Sequence, residues 1–157
     1  MPIKRIGILA TPATINSHCY AKEIAKHNKE IEVYEICCPQ WVKIVEEGRE
    51  NDENSKIAIA QKLDEIMTFK PEKIVLGCTH YPIVEENFHE CYPQLHLINP
   101  ALEQANAVKA YLAEQNALNP QKKGTFTICT SGDPQVYVNV GKRLGLFEAS
   151  ELKVVHI

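Results

Sequence analysis

A thiol, a hydroxyl and an imidazole stand side by side at Cys78, Thr79 and His80, inside the stretch KIVLGCTHYP that runs from Lys73 to Pro82. An apolar run delivers the trio through Gly77, and Pro82 suits the first turn of a following helix. Gly77 permits the close or unusual backbone path needed just before a reactive group. A thiol at Cys78 near a helix N-terminus would meet unpaired N–H groups that favour the thiolate. Thr79 can offer its hydroxyl and its backbone N–H to a carboxylate, and His80 can relay a proton or fix an ammonium group. Together they describe a thiol-containing site for a small molecule. Residue by residue, the same strand–Gly–Cys junction would also serve as plain tight packing.

The whole chain narrows the choice. Its 157 residues suffice for one domain with a real core. Apolar residues make up 45% and charged ones 24%, and the formal net charge is −3. Lys and Arg are scattered, so there is no basic field for a nucleic-acid backbone. No apolar run approaches the ~20 residues that span a bilayer, and the apolar part of MPIKRIGILATPA is shorter than a secretory signal requires. A cytoplasmic protein is expected. The six cysteines, Cys19, Cys37, Cys38, Cys78, Cys91 and Cys129, form no Cys-x-x-Cys pair and no zinc-spaced ladder. With no Gly-x-Gly-x-x-Gly and no phosphate loop, neither a metal nor an organic cofactor is expected.

The elements that must position the trio follow from periodicity. Four apolar runs have strand character: IKRIGILA from Ile3, IEVYEI from Ile31, KIVLG from Lys73 and LHLIN from Leu95. Between them, TINSHCYAKEIAKHN reads as one helix with Ile15, Cys19, Ile24 and Ala25 along one side. NSKIAIAQKLDEIMTF carries Ile57, Ile59, Ala60, Leu63, Ile66 and Met67 at helical spacing, with Asn54 and Ser55 as caps. Short, nearly continuous apolar runs alternating with helices predict a three-layer α/β/α fold with a mostly parallel sheet of about four strands. Ligands gather beyond the C-terminal ends of such strands, and the junctions after Ala10, Ile36 and Gly77 share that edge. From Pro100 a long helix through Leu118, a loop at NPQKKG, a strand TFTICTS, a helix after Gly132 and a short strand LKVVHI complete the chain. Residues 1–118 are expected to form the main lobe and 119–157 a C-terminal segment.

LGCTHYP resembles the second catalytic-cysteine motif of the glutamate racemases, cofactor-independent enzymes of the aspartate/glutamate racemase superfamily. KRIGILATPATINSHCY is similar to the segment that opens the family's second lobe, with its paired threonines. IEVYEICCPQWVKIVEEG resembles the family's strand, Cys-Pro turn and acidic helix, and FTICTSGDPQVY its C-terminal strand and Gly-Asp-Pro turn. The order and spacing agree over nearly all of the chain. LINPALEQA departs from the family, which commonly has a Ser where Pro100 stands.

The resemblance implies interconversion of L- and D-glutamate, with D-glutamate supplied to peptidoglycan synthesis. Racemisation removes a weakly acidic Cα proton and returns one on the opposite face, so two acid–base groups must flank the carbon. By the resemblance, Cys78 acts on L-glutamate, His80 assists it, and Thr79 holds the substrate. Glu46 is the expected partner of His80, with Glu47 as the alternative; either carboxylate would otherwise sit on a solvated helix face. Thr14 and Thr11 would grip the substrate's side-chain carboxylate, although Thr14 also fits a helix cap. Cys38 would belong to a structural Cys-Pro turn.

The family's Asp-Ser-Gly loop and Cys-Asn-Thr motif, which carry the opposite thiol, do not occur here. The chain is therefore expected to be the second lobe without the first, inactive alone, with residues from about Thr125 made to rest on the absent lobe. Self-association or pairing with that lobe is expected. Two other readings remain open: a non-catalytic amino-acid-binding or regulatory module, and an aspartate- or hydantoin-racemase-type enzyme acting as a homodimer.

Overall fold

A computed structural model describes residues 2–121, 124, 127–143 and 151–155. Strand β1 (Arg5–Ala10) is its spine. Strands β2 (Glu32–Cys37) and β3 (Lys73–Gly77) pair with it on either side, and the two-residue β4 (Leu97–Ile98) extends the sheet beyond β3, all parallel and in the order β2-β1-β3-β4. Side chains alternate across a strand, and β1 uses both faces for burial. Ile6, Ile8 and Ala10 point into one apolar layer with Val75, while Leu9 points into the other with Ile74 and Leu76.

Helices cover both layers, as expected of a parallel sheet. On the first face lie α1 (Pro12–Ser17) and α2 (Cys19–His27), which contribute Ile15, Tyr20 and Ile24. On the second lie α3 (Pro39–Glu46), α4 (Glu53–Met67), a 3-10 turn at Tyr81–Val84 and α5 (Glu85–Cys91). Gly7 lets α4 come close, because a Cβ there would lie 2.6 Å from Ile66 Cδ1.

The expected single helix from Thr14 to Asn28 is broken. His18 adopts left-handed backbone (φ 51°), ending α1 and starting α2. The break changes which residues meet the sheet: Tyr20 and Ile24 turn inward, while Cys19 and Ala25 stay exposed. Helix α4 starts at Glu53 after an Asp52 cap, ahead of Asn54 and Ser55, and Ser55 is buried. Ile59, Leu63 and Ile66 complete its inner stripe and leave Ile57 on the outside.

By its internal contacts the chain divides into Met1–Ala105 and Asn106–Ile157, within helix α6 (Pro100–Glu114). Helix α6 stops short of Leu118 because Asn116 takes left-handed backbone (φ 52°) and the Ala117 N–H returns to the Leu112 carbonyl at 2.8 Å. In the second unit β5 (Thr127–Thr130) and β6 (Glu151–Val154) form a parallel pair, with α7 (Pro134–Arg143) between them in sequence. Thr125, Phe126, Leu144 to Phe147, His156 and Ile157, where further strand and helix residues were expected, lie outside the described residues. Among the described residues no helix is long and apolar enough to cross a membrane.

Candidate active site

Register brings three strand ends together. Ala10 is opposite Cys37 on one side and Gly77 on the other, so Thr11, Cys38 and Cys78 are the next residues beyond one sheet edge. The Cys38 N–H donates to the Ala10 carbonyl at 2.9 Å, carrying the ladder one bond further.

Beyond β3 the chain turns at once. The Tyr81 N–H returns to the Cys78 carbonyl at 3.2 Å and the Ile83 N–H to the His80 carbonyl at 3.1 Å, opening the 3-10 turn. This fold-back places the Cys78 sulfur 3.7 Å from His80 Nδ1. On the other side of the ring, His80 Nε2 lies 3.2 Å from Glu46 Oε1.

Glu46 reaches that position because of how α3 ends. Gly48 takes left-handed backbone (φ 67°), and the Gly48 and Arg49 N–H groups close on the Val45 and Ile44 carbonyls. Glu46 therefore stands in the last helical turn, facing His80. Glu47, one residue on, pairs instead with Arg49 at 2.6 Å and Lys43 at 3.7 Å.

An aromatic cluster holds α3 against the turn. The Trp41 ring meets Tyr81 edge-on and Phe88 at a tilt, each with centroids 5.0 Å apart, and all three side chains are buried. The Tyr81 hydroxyl donates to the Cys38 carbonyl at 2.8 Å, tying the loop after β3 to the loop after β2. His80 and Glu46, 34 positions apart, are thus carried on the turn after β3 and the end of α3, which share one core.

Electrostatics at Cys78 differ from the expectation of a stabilised thiolate. Burial pushes the thiol above its ordinary value and outweighs the backbone N–H groups of His80 and Tyr81, which pull it down; the Glu46 charge adds to the rise. The helix-end effect exists, but a half-buried sulfur followed by one 3-10 turn gains less from it than it loses in hydration. Cys38 is sealed, and its thiol is raised to about 12, chiefly by burial.

The two threonines meet each other: Thr11 Oγ1 and Thr14 Oγ1 are 3.3 Å apart at the start of α1, beyond the C-terminal end of β1. Neither side chain caps the helix. Thr79 is exposed beside Cys78.

A cavity of about 170 Å³ opens at the thiol, lined by Gly77, Cys78, Thr79, Tyr20, Asn99 and the first turn of α6. Tyr20, Asn99 and Gln104 were not singled out from the sequence. The only local signal was Gly77, whose missing Cβ leaves room for a neighbour without saying which. Pro100, the departure from the family, lies in this lining. Larger hollows occur at the Tyr92–His96 loop (about 440 Å³) and around Cys38 and Lys62 (about 530 Å³), and neither includes Cys78 or His80.

No family model matches the chain. Among curated proteins it is 34% identical over 142 residues to the glutamate racemase of Thermoanaerobacter sp. (strain X514), covering 90% of this chain and 54% of the relative. It is 35% identical, with 90% and 53% coverage, to the glutamate racemase of Carboxydothermus hydrogenoformans. Among solved structures it resembles the glutamate racemase of Francisella tularensis in complex with D-glutamate, with a TM-score of 0.87 and 32% identity over 98% of this chain and 58% of that one. The chain spans about half the length of the curated relatives it matches.

Proposed function

The chain belongs to the glutamate racemase family, and we propose that it carries one of the two acid–base faces of a cofactor-independent racemase acting on glutamate. The observation that carries the reading is the continuous line Cys78–His80–Glu46 at the C-terminal edge of the sheet, 3.7 Å and 3.2 Å between successive partners.

That line answers a difficulty set by burial. A thiol raised above its ordinary value is mostly protonated at neutral pH, yet proton abstraction from Cα needs the thiolate. His80 Nδ1 faces the sulfur and can accept its proton while Nε2–H donates to Glu46, the tautomer that this network favours. Moving the proton leaves a thiolate beside an imidazolium, and the Glu46 carboxylate stabilises that charge. The thiolate then takes the Cα proton of L-glutamate; in the reverse direction the Cys78 thiol returns one to the same face.

Thr79 presents a hydroxyl and an N–H to one carboxylate, and the Thr11–Thr14 pair receives the other. The relative solved with D-glutamate supports this ligand class. The opposite face needs a second acid–base group, assigned here to a first lobe corresponding to the remaining length of the relatives. The product D-glutamate would serve peptidoglycan synthesis in the cytoplasm.

Solvent exchange tests the reading. L-Glutamate incubated with the chain in D2O should lose its Cα–H resonance without accumulating D-glutamate, and Cys78→Ala should stop the loss. Absence of exchange, together with no chemical-shift response of the chain to glutamate, would overturn it.

A further inference from the structure

We propose that Tyr20 is a ligand-contacting residue of the Cys78 cavity, its ring forming the floor and its hydroxyl donating a hydrogen bond to a carboxylate of the bound molecule. The proposal deepens the reading above and rests on its premise that the cavity takes a carboxylate.

Tyr20 lines the cavity together with Gly77, Cys78 and Thr79. Its ring is seated on Gly77: a Cβ built there would lie 3.0 Å from Tyr20 Cε2. The ring is thereby held against the residue that precedes the thiol and cannot swing through the strand. Its upper position is set from the other end by the left-handed turn at His18, which directs the first turn of α2 at the sheet. His18 Nδ1 is in turn bonded to Glu35 on β2. An aromatic floor seated on the strand is what a small ligand pocket needs for orientation.

The hydroxyl has no hydrogen-bond partner among the described residues. The phenol is raised above its ordinary value by burial first, and then by the charges that Cys19 and Cys78 would carry, so it stays a donor and lies within electrostatic reach of the reacting sulfur. A half-buried donor without a partner, in a cavity with Thr79, matches an anionic group better than an apolar one. At about 170 Å³ the cavity is smaller than the pockets that enclose drug-sized ligands and suits a small carboxylate.

Alkylation tests this without requiring racemisation. Iodoacetate and iodoacetamide differ in bearing a carboxylate or a neutral amide; in each the thiolate sulfur bonds to the CH2 carbon as the C–I bond breaks, leaving a carboxymethyl or carbamoylmethyl group on sulfur and releasing iodide. Peptide-resolved mass spectrometry gives the rate ratio of the two reagents at Cys78 and, as an internal control, at exposed Cys91. The expected result is a higher iodoacetate preference at Cys78 than at Cys91, lowered several-fold at Cys78 alone in Tyr20→Phe, which keeps the ring on Gly77. Glutarate should protect Cys78 from iodoacetamide, and Tyr20→Phe should raise the concentration needed for half protection several-fold. If the unaltered chain shows the preference and the protection but Tyr20→Phe changes neither, the role of Tyr20 is overturned while the carboxylate site stands. If the unaltered chain shows neither, both readings fall.

Discussion

Glu46 and Cys78 sit on opposite sides of one imidazole: the carboxylate oxygen 3.2 Å from His80 Nε2, the sulfur 3.7 Å from Nδ1. The carboxylate thus reaches the sulfur by hydrogen bonds only through the ring, while its charge also helps to keep the thiol protonated. Glu46→Gln keeps a hydrogen-bond acceptor but removes the charge that favours the imidazolium. It should slow Cα exchange by on the order of ten-fold, short of the ~10²–10⁴-fold cost of losing a positioned acid–base group, which is the scale for Cys78→Ala. Glu47→Gln should be neutral, since Glu47 faces Lys43 and Arg49. Exchange rates of the two variants in D2O decide the point, and equal losses would count against the relay.

Cys38 makes the fold sensitive to alkali. Its folded value is raised from 9.0 to about 12 by burial. Between those pH values the unfolded chain has released the proton and the folded chain has not, so stability is intact below pH 9 and falls as pH rises towards 12. At ~1.4 kcal/mol per pH unit the loss is on the order of 4 kcal/mol. Tyr81, raised from 10.0 for the same reason, adds in the same direction. Cys38→Ala should be slightly less stable near pH 7.5 and lose less stability by pH 11. Urea unfolding at the two pH values measures the difference, with every other titrating group common to both proteins.

Gly77 is required by its neighbours. A Cβ there would stand 3.0 Å from both Ala10 Cβ and Tyr20 Cε2, and 3.2 Å from the Leu9 carbonyl oxygen. The Tyr20 ring can yield; the backbone oxygen and the Ala10 Cβ of the paired strand cannot. Gly77→Ala should therefore destabilise by roughly 1–3 kcal/mol, the range for overpacking. Combining it with Tyr20→Leu should recover only part of that loss, as read from thermal or urea unfolding of the two single variants and the double.

What the sequence revealed follows the range of the forces involved. β1 and β3 were legible because strands buried on both faces are nearly continuous apolar runs, as ILA and IVL show; β2, at the sheet edge with Glu32 and Tyr34 exposed, was legible from its β-branched and aromatic residues. Cys78 and His80 were legible because two residues of separation and a turn suffice to bring them together. The Glu46–His80 contact came only through family resemblance, since it depends on the Gly48 end of α3 and on Trp41 lying against Tyr81, 40 residues away in the chain. Tyr20 was not legible at all. Its direction depends on a left-handed residue inside what periodicity reads as one helix, and on a bond from His18 to Glu35 that no local pattern encodes.

That bond sets the last prediction. A non-glycine residue in left-handed backbone costs roughly 1–2 kcal/mol, so His18→Gly removes strain. It also strips the partner from Glu35, whose side chain is only 11% exposed and whose other oxygen, Oε1, is buried without a hydrogen bond. Leaving a nearly buried carboxylate unpaired costs ~1–3 kcal/mol or more, which matches or exceeds the relief. His18→Gly alone should therefore be neutral to destabilising. In a Glu35→Leu background, where no carboxylate remains to be satisfied, the same substitution should stabilise by about 1 kcal/mol. A double-mutant cycle by urea unfolding measures both arms; if His18→Gly stabilises equally in the two backgrounds, the Glu35 bond is not what holds the turn.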